Sequence, residues 1–227
     1  MAYTGRNAGC AVRHFGRQSP CRACFVIQEP SNAAIEVPRE THAKLAAYVE
    51  LLLQENERQN LISRSSVDDV WNRHIKDSLQ LIYHLPRDES ADILDLGSGP
   101  GLPGLVLAIA RPGWTLHLVE SRRKRCDFLL QTSEALNLEN VRVHCSNVRS
   151  LSAFTVDAIT ARAFAPLPAL IAMATPFAAR RTQWVLPRGA KGAIELSELP
   201  RRHRSMFHVE HSVTDERAVI LVGTGTP

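Results

Sequence analysis

Lysine is scarce in this chain: of its 27 basic residues only Lys44, Lys76, Lys124 and Lys191 are lysine, and the rest are arginine. Arginine's planar fork suits bidentate contact with phosphate, which points to a nucleic-acid partner, although GC-rich codon usage produces the same bias. Long apolar runs are also missing. The longest, such as Leu102 to Ala110, reach about half the length of a membrane-spanning helix, which argues against a membrane partner. Cysteine is sparse, with five residues and no secretory signal, the usage of a reducing compartment, so a cytoplasmic location is expected. Cys21-Arg-Ala-Cys24 is half of a zinc-binding pattern, but no second Cys or His pair at ligand spacing accompanies it, and no metal site is expected. Acids are absent before Glu29, while Arg6, Arg13, Arg17 and Arg22 precede it. Residues 1–37 therefore read as a disordered basic arm, with an organellar transit peptide or a later translation start as alternatives.

What the chain does contain is enough apolar residue, 44% of 227, for one sizeable core, and a monomer is expected. Leu45, Tyr48, Val49, Leu52 and Leu53 recur at helical spacing and predict an amphipathic helix over about 38–58. Val70, Trp71, Ile75, Leu79 and Ile82 predict a second helix between Val67 and Leu85, closed by Pro86. Residues 38–90 thus form a helical cap on the α/β domain of residues 91–227. In that domain, strand-like segments at Ile93–Leu96, Thr115–Glu120, Val141–His144, Val156–Thr160 and Gln183–Leu186 alternate with helical patterns at 102–111, 122–137 and 167–178. This rhythm predicts an α/β fold with a mostly parallel twisted sheet, which Met206–His211 and Ala218–Val222 close as an antiparallel hairpin.

The informative stretch is Ile93-Leu-Asp-Leu-Gly-Ser-Gly-Pro-Gly-Leu-Pro-Gly104: a buried strand, a turn too tight for Cβ atoms at Gly97, Gly99 and Gly101, and a helix from Leu102 with Pro103 in its first turn. Gly99 to Gly104 also fits the dinucleotide pattern G-x-G-x-x-G, which leaves a nicotinamide-dependent oxidoreductase as an alternative. The register disfavours it, because Asp95 to Ser98 stand between strand and first glycine, and Pro100 has no N–H for a phosphate. Asp95 would repel a pyrophosphate but attract the cationic centres of a sulfonium amino acid, so S-adenosylmethionine is the expected cofactor. Glu120, ending the second strand of the sheet, is placed to accept from two ribose hydroxyls.

The acceptor is narrowed by what is missing. After the fourth strand stands Ala161-Arg-Ala-Phe-Ala165-Pro166 rather than the Asn/Asp-Pro-Pro-aromatic of amine methylation. Cys126 and Cys145 read as packing residues rather than as a nucleophile for pyrimidine carbon-5. A purine ring nitrogen with its own lone pair needs neither device, only alignment about 3 Å from the methyl carbon.

Several blocks together resemble the bacterial guanine-N7 methyltransferases of small-subunit ribosomal RNA, the RsmG (GidB) family: Asn60-Leu-Ile-Ser63, Arg73-His-Ile-Lys-Asp-Ser78, the glycine block, Glu120-Ser-Arg-Arg-Lys-Arg125, Ala161-Arg-Ala-Phe164 and Leu186-Pro-Arg-Gly189. The resemblance spans about 38–223. It implies a class I methyltransferase fold, S-adenosylmethionine as cofactor, and small-subunit rRNA or the small ribosomal subunit as partner. It also implies cofactor contacts at Gly97, Leu102, Glu120, Val148, Arg149 and Arg162, with Val148 beside the adenine. Arg149 stands where the family commonly has an acid, which moves the expected contact there to the backbone. Arg188 stands where many members have lysine.

Arg162, at the mouth of the site, is expected to orient the guanine or a phosphate, and Phe164 to stack on the extruded base; an ion pair and a core phenylalanine are the plainer readings. No general base is expected. Arg122, Arg123 and Arg125, with Lys124, form a basic cluster expected to contact RNA, as is Arg188, though such a run also reads as a solvated helix face. His74 and Asp77 share a helical face and are expected to hydrogen-bond one another, fixing the cap against the cofactor loop. A non-catalytic ribosome-assembly factor that keeps the fold is the remaining alternative.

Overall fold

The computed structural model describes residues 24–27 and 35–227. Cys21 and most of the predicted arm lie outside the described residues, but Cys24–Ile27 (β1) and Ile35–Pro38 (β2) pair as a short antiparallel ladder. Helix α1 (Arg39–Gln59) follows, buries Leu45, Tyr48, Val49 and Leu52, and ends on Asn60 in the left-handed conformation. The second cap segment is less regular than its apolar stripe predicts. It runs as a π-helix (Trp71–Lys76), one α turn (α2, Asp77–Leu79) and a 3-10 helix (Gln80–Tyr83).

The sheet contains seven strands: β3 (Asp92–Leu96), β4 (Thr115–Glu120), β5 (Val141–Cys145), β6 (Val156–Thr160), β7 (Ala178–Arg188), β8 (Phe207–His211) and β9 (Val219–Thr224), in the order β5-β4-β3-β6-β7-β9-β8. The first five are parallel, and β9 runs antiparallel to both β7 and β8. Helices α3 (Gly104–Ala110), α4 (Arg123–Ala135) and α5 (Leu167–Ala174) fill the crossovers, and the short α6 (Gly192–Ser197) and α7 (Arg201–Arg204), which the sequence pattern does not announce, precede β8. No helix among the described residues is long and apolar enough to cross a membrane.

Alternation along β3 divides the core. Ile93 joins the cap, α3 and α4 on one face, while Leu94 and Leu96 join α5 and the hairpin on the other. The strand order reverses direction at β3, whose neighbours are β4 and β6, so the crevice at the C-terminal ends of these strands is where an open α/β sheet binds its ligand.

Candidate active site

Three strand ends build the site. After β3 the chain turns sharply: Gly97 and Ser98 both donate to the Val119 carbonyl on β4, at 2.9 and 3.1 Å. Gly97 lies at φ +71°, and a Cβ there would strike the Phe164 ring. Helix α3 starts two residues later than the sequence pattern predicts, at Gly104, where a Cβ would strike Leu118 and Asp95. The cap reaches the same loop, for the Tyr48 hydroxyl donates to the Pro100 carbonyl at 3.0 Å.

Glu120 ends β4 and organises the floor of the first cavity. Its Oε1 accepts the Ser121 and Arg122 N–H groups at 2.8 Å each, its Oε2 accepts the Gly99 N–H at 3.0 Å, and Arg125 Nη1 stands 3.9 Å from Oε2. This cavity, of about 430 Å³, is lined by Gly97, Glu120, Arg125, Val148, Arg149 and Phe164, among others. Asn147 caps the turn above Glu120 by accepting the Arg149 N–H at 3.0 Å, so that backbone donor is engaged within the turn. Arg122 also lines this cavity, whereas Arg123 is exposed and paired with Asp127 at 3.0 Å.

Asp95 is elsewhere. It is fully buried beneath α3, where its Oδ2 accepts the Gly104 N–H at 3.1 Å and its Oδ1 has no hydrogen-bond partner. Burial pushes its pKa up to about 7. Gly99, Gly101 and Leu102 likewise do not line the cavity; Leu102 packs into the cap-side core. The sequence position of Asp95, at a strand end before glycines, is unchanged by this. Period-2 alternation simply turns its side chain to the same face as Ile93, under the helix.

A second and larger cavity, of about 980 Å³, opens beside the first, and Ala163 and Phe164 line both. Arg162 stands at its inner end. Its Nη2 donates to the Arg73 carbonyl at 3.1 Å and lies 3.0 Å from His74 Nδ1, and its Nη1 lies 3.5 Å from Asp77 Oδ2. His74 and Asp77 thus meet Arg162 rather than each other. Ala163 takes up a left-handed φ of 49°, a conformation that costs a non-glycine residue about 1 kcal/mol or more, and this turns Phe164 over Gly97. Arg188 lines the same cavity but its side chain is only 7% exposed, held by Glu195 at 2.6 Å and the Ala165 carbonyl at 3.0 Å. Those bonds brace the loop that carries Phe164.

Sequence reasoning missed the supports of this cleft. Asp77 Oδ1 accepts from Thr214 Oγ1 and Gln80 Nε2, each at 2.8 Å, and Gln80 also accepts the Val213 N–H at 2.9 Å. Gln80, 2% exposed between Leu79 and Leu81, was the available signal, since a polar side chain buried in an apolar stripe needs a partner. The two cysteines read as packing residues are corrected: Cys126 and Cys145 form a disulfide, with Cα atoms 5.6 Å apart. Cys145 sits opposite Glu120 in the β4–β5 register, and α4 folds back over that strand end, which brings Cys126 to it.

A sheet of this order, with two adjoining cavities at the C-terminal ends of its parallel strands, defines the class I methyltransferase fold. Solved structures agree: a ribosomal protein L11 methylase from Lactobacillus delbrueckii subsp. bulgaricus superposes with TM-score 0.55 at 12% identity, covering 68% of this chain and 79% of that one. A SAM-dependent O-methyltransferase from Thermotoga maritima gives TM-score 0.51 at 19% identity, covering 67% and 65%. In sequence, the profile of rRNA small subunit methyltransferase G matches residues 41–220. Relatives named ribosomal RNA small subunit methyltransferase G include those of Erythrobacter litoralis, 48% identical over 80% of this chain and 87% of its own, and Novosphingobium aromaticivorans, 47% identical over 83% of each. The chain belongs to the rRNA small subunit methyltransferase G family.

Proposed function

We propose that this chain transfers the methyl group of S-adenosylmethionine to N7 of a guanosine in the decoding-region loop of small-subunit ribosomal RNA, acting in the cytoplasm. The observation that carries the reading is the pair of cavities sharing the Ala163–Phe164 wall, one floored by Glu120 and the other headed by Arg162, in a member of this family. A volume of about 430 Å³ falls within the range of small-molecule sites, roughly 300–1,000 Å³, and the donor set fits the cofactor. Glu120 offers a carboxylate to ribose hydroxyls, Val148 an apolar surface to adenine, and Gly97 a bare backbone where no Cβ has room. When bound, the cofactor supplies a methyl group activated on a sulfonium.

The chain's own part is to orient. N7 carries a lone pair and no proton, so no base is required, and the one histidine lining the acceptor cleft, His74, is already engaged by Arg162. Arg162, partly exposed where it lines the cleft, presents its positive charge to the base or an adjacent phosphate, and Phe164 lies at the junction of the two cavities. Arg122, on the rim of the first cavity, and the exposed Arg123 after it, at the start of α4, are the proposed contacts to RNA phosphates; Arg125 and Arg188 serve the walls of the two cavities instead. The dinucleotide alternative loses its main donor, because the Gly99 N–H that would meet a phosphate bonds Glu120.

Mapping N7-methylguanosine in small-subunit rRNA with and without the protein tests the reading. Loss of one decoding-region methyl mark in the absence of the protein is expected, and an unchanged map would overturn it. Arg162→Ala should abolish turnover while leaving S-adenosylhomocysteine binding in place, and calorimetric titration in which NAD alone binds would remove methyl transfer altogether.

A further inference from the structure

Arg162 is held at both terminal nitrogens, and the groups that hold it come from the cap. Both hydrogens of Nη2 are used, one on the Arg73 carbonyl and one on His74 Nδ1. His74 is itself fixed, since its Nε2 lies 3.0 Å from the buried Ser66 hydroxyl. Acceptance at Nδ1 assigns the ring the Nε2–H tautomer, with Ser66 Oγ as acceptor; that hydroxyl in turn donates to the Ser63 carbonyl at 2.8 Å. The ring stays neutral in the physiological range, because burial, with Arg162 and Arg73 nearby, lowers its pKa to about 4. On the other side, Asp77 faces Nη1 with one oxygen while its second oxygen is pinned by Thr214 and Gln80. The cap thus meets the β6 terminus at a single guanidinium, and the β8–β9 turn reaches it only through Asp77.

We propose that His74 and Asp77 are positioning residues for methyl transfer, acting through Arg162: His74 Nδ1 and Asp77 Oδ2 fix the plane of its guanidinium where it lines the acceptor cleft. This rests on the reading of Arg162 given above. The two anchors do different work. His74 supplies an uncharged acceptor, which orients the guanidinium without neutralising it, and Asp77 supplies the directional charge at the opposite nitrogen. A misplacement of about 1 Å at such a group costs up to about a hundredfold in rate, whereas cofactor binding, which occurs in the neighbouring cavity, is left alone.

The test uses the intact protein and small ribosomal subunits lacking the methyl mark. His74→Asn places an amide oxygen where Nδ1 was, and His74→Gln places its amide nearer Nε2, losing the acceptor toward Arg162. Turnover in H74N should stay within about threefold of wild type, while H74Q should lose about 10- to 100-fold in kcat, with S-adenosylhomocysteine affinity unchanged in both. In an Arg162→Lys background, H74Q should add less than about threefold, because the partner it acts through is gone. Asp77→Asn gives an independent arm that keeps an oxygen for Thr214 and Gln80, and it should lower kcat about tenfold with KM for the cofactor unmoved. The effect of Arg162→Lys alone reports on the underlying reading, and the contrast among the His74 variants reports on this one. Equal turnover in H74N and H74Q, or a full loss from H74Q in the Arg162→Lys background, would overturn the positioning role.

Discussion

Replacing Glu120 by Gln changes one atom and should be felt in two assays. The native carboxylate accepts three backbone N–H groups: two on Oε1, from Ser121 and Arg122, and one on Oε2, from Gly99. An amide has only one oxygen. If that oxygen keeps Ser121 and Arg122, the new NH2 faces the Gly99 N–H donor to donor; if the amide flips, two donors are opposed instead. At least one buried, charge-assisted bond is lost, worth about 1.5–3 kcal/mol. For a chain of 227 residues each kcal/mol moves Tm by about 2–4 °C, so E120Q should melt roughly 3–12 °C lower by calorimetry. Affinity for S-adenosylhomocysteine should fall at least tenfold, since the proposed ribose acceptor loses its charge and the glycine loop its tether. A variant with unchanged Tm and unchanged titration would refute the role of Glu120 as the organiser of the cavity floor.

Other perturbations have equally definite outcomes. Gly97→Ala forces an L residue into φ +71° and a methyl into the Phe164 ring, so it should lose about 1–3 kcal/mol in urea denaturation and weaken cofactor binding together. Asp95 titrates higher in the fold, near 7, than its ordinary 3.8, so between those values the folded state retains a proton that the unfolded chain has released. Its contribution to stability therefore falls as pH rises from about 4 to 7 and is level above that; Asp95→Asn should remove this slope when unfolding free energies are compared across pH. Reduction of the Cys126–Cys145 bond, which closes a separation of 19 residues, should cost about 3 kcal/mol, visible as a lower Tm in dithiothreitol; Cys126→Ser should show no response to the reductant.

The centre of the sheet was legible because β3, β4 and β6 are largely buried and the turn after β3 is marked by glycine. Asp92–Leu96 and Thr115–Glu120 fall within a residue of where the apolar pattern puts them, and Glu120 emerges from the strand end that the pattern implies. What periodicity does not encode is which polar group arrives from a distant segment. Arg162 and Arg73 are 89 residues apart, and Gln80 and Val213 are 133 apart, so the partners of His74 and Asp77 could not be read from local spacing. The engagement of Arg188 was hidden differently: Glu195 lies only seven residues on, but on the unannounced α6, while Arg188 ends β7. The second cap segment lost its regular helix for want of a local cue, since its stripe of Val70, Trp71, Ile75 and Leu79 is equally compatible with the wider π turn. Strand β7 is longer than its apolar segment because a register shift opposite Val156 lets the pairing start at Ala178, ahead of the exposed Arg180 and Arg181 that break the apolar pattern.

The order in which the hydrogen bonds around Asp77 become available follows the order in which the chain is made. The cap and the glycine loop can meet as soon as β3 and α3 exist, but Thr214, the last of the groups that fix Asp77, comes from the final hairpin. A nascent chain emerging from its N-terminus would thus expose every residue lining the first cavity, the last being Met173, before the hairpin that braces Asp77. A chain cut before β8 would lose that brace and, with it, the buried Val219, Ile220 and Leu221 of β9, so the last segment made both completes the sheet and fixes the wall of the second cavity.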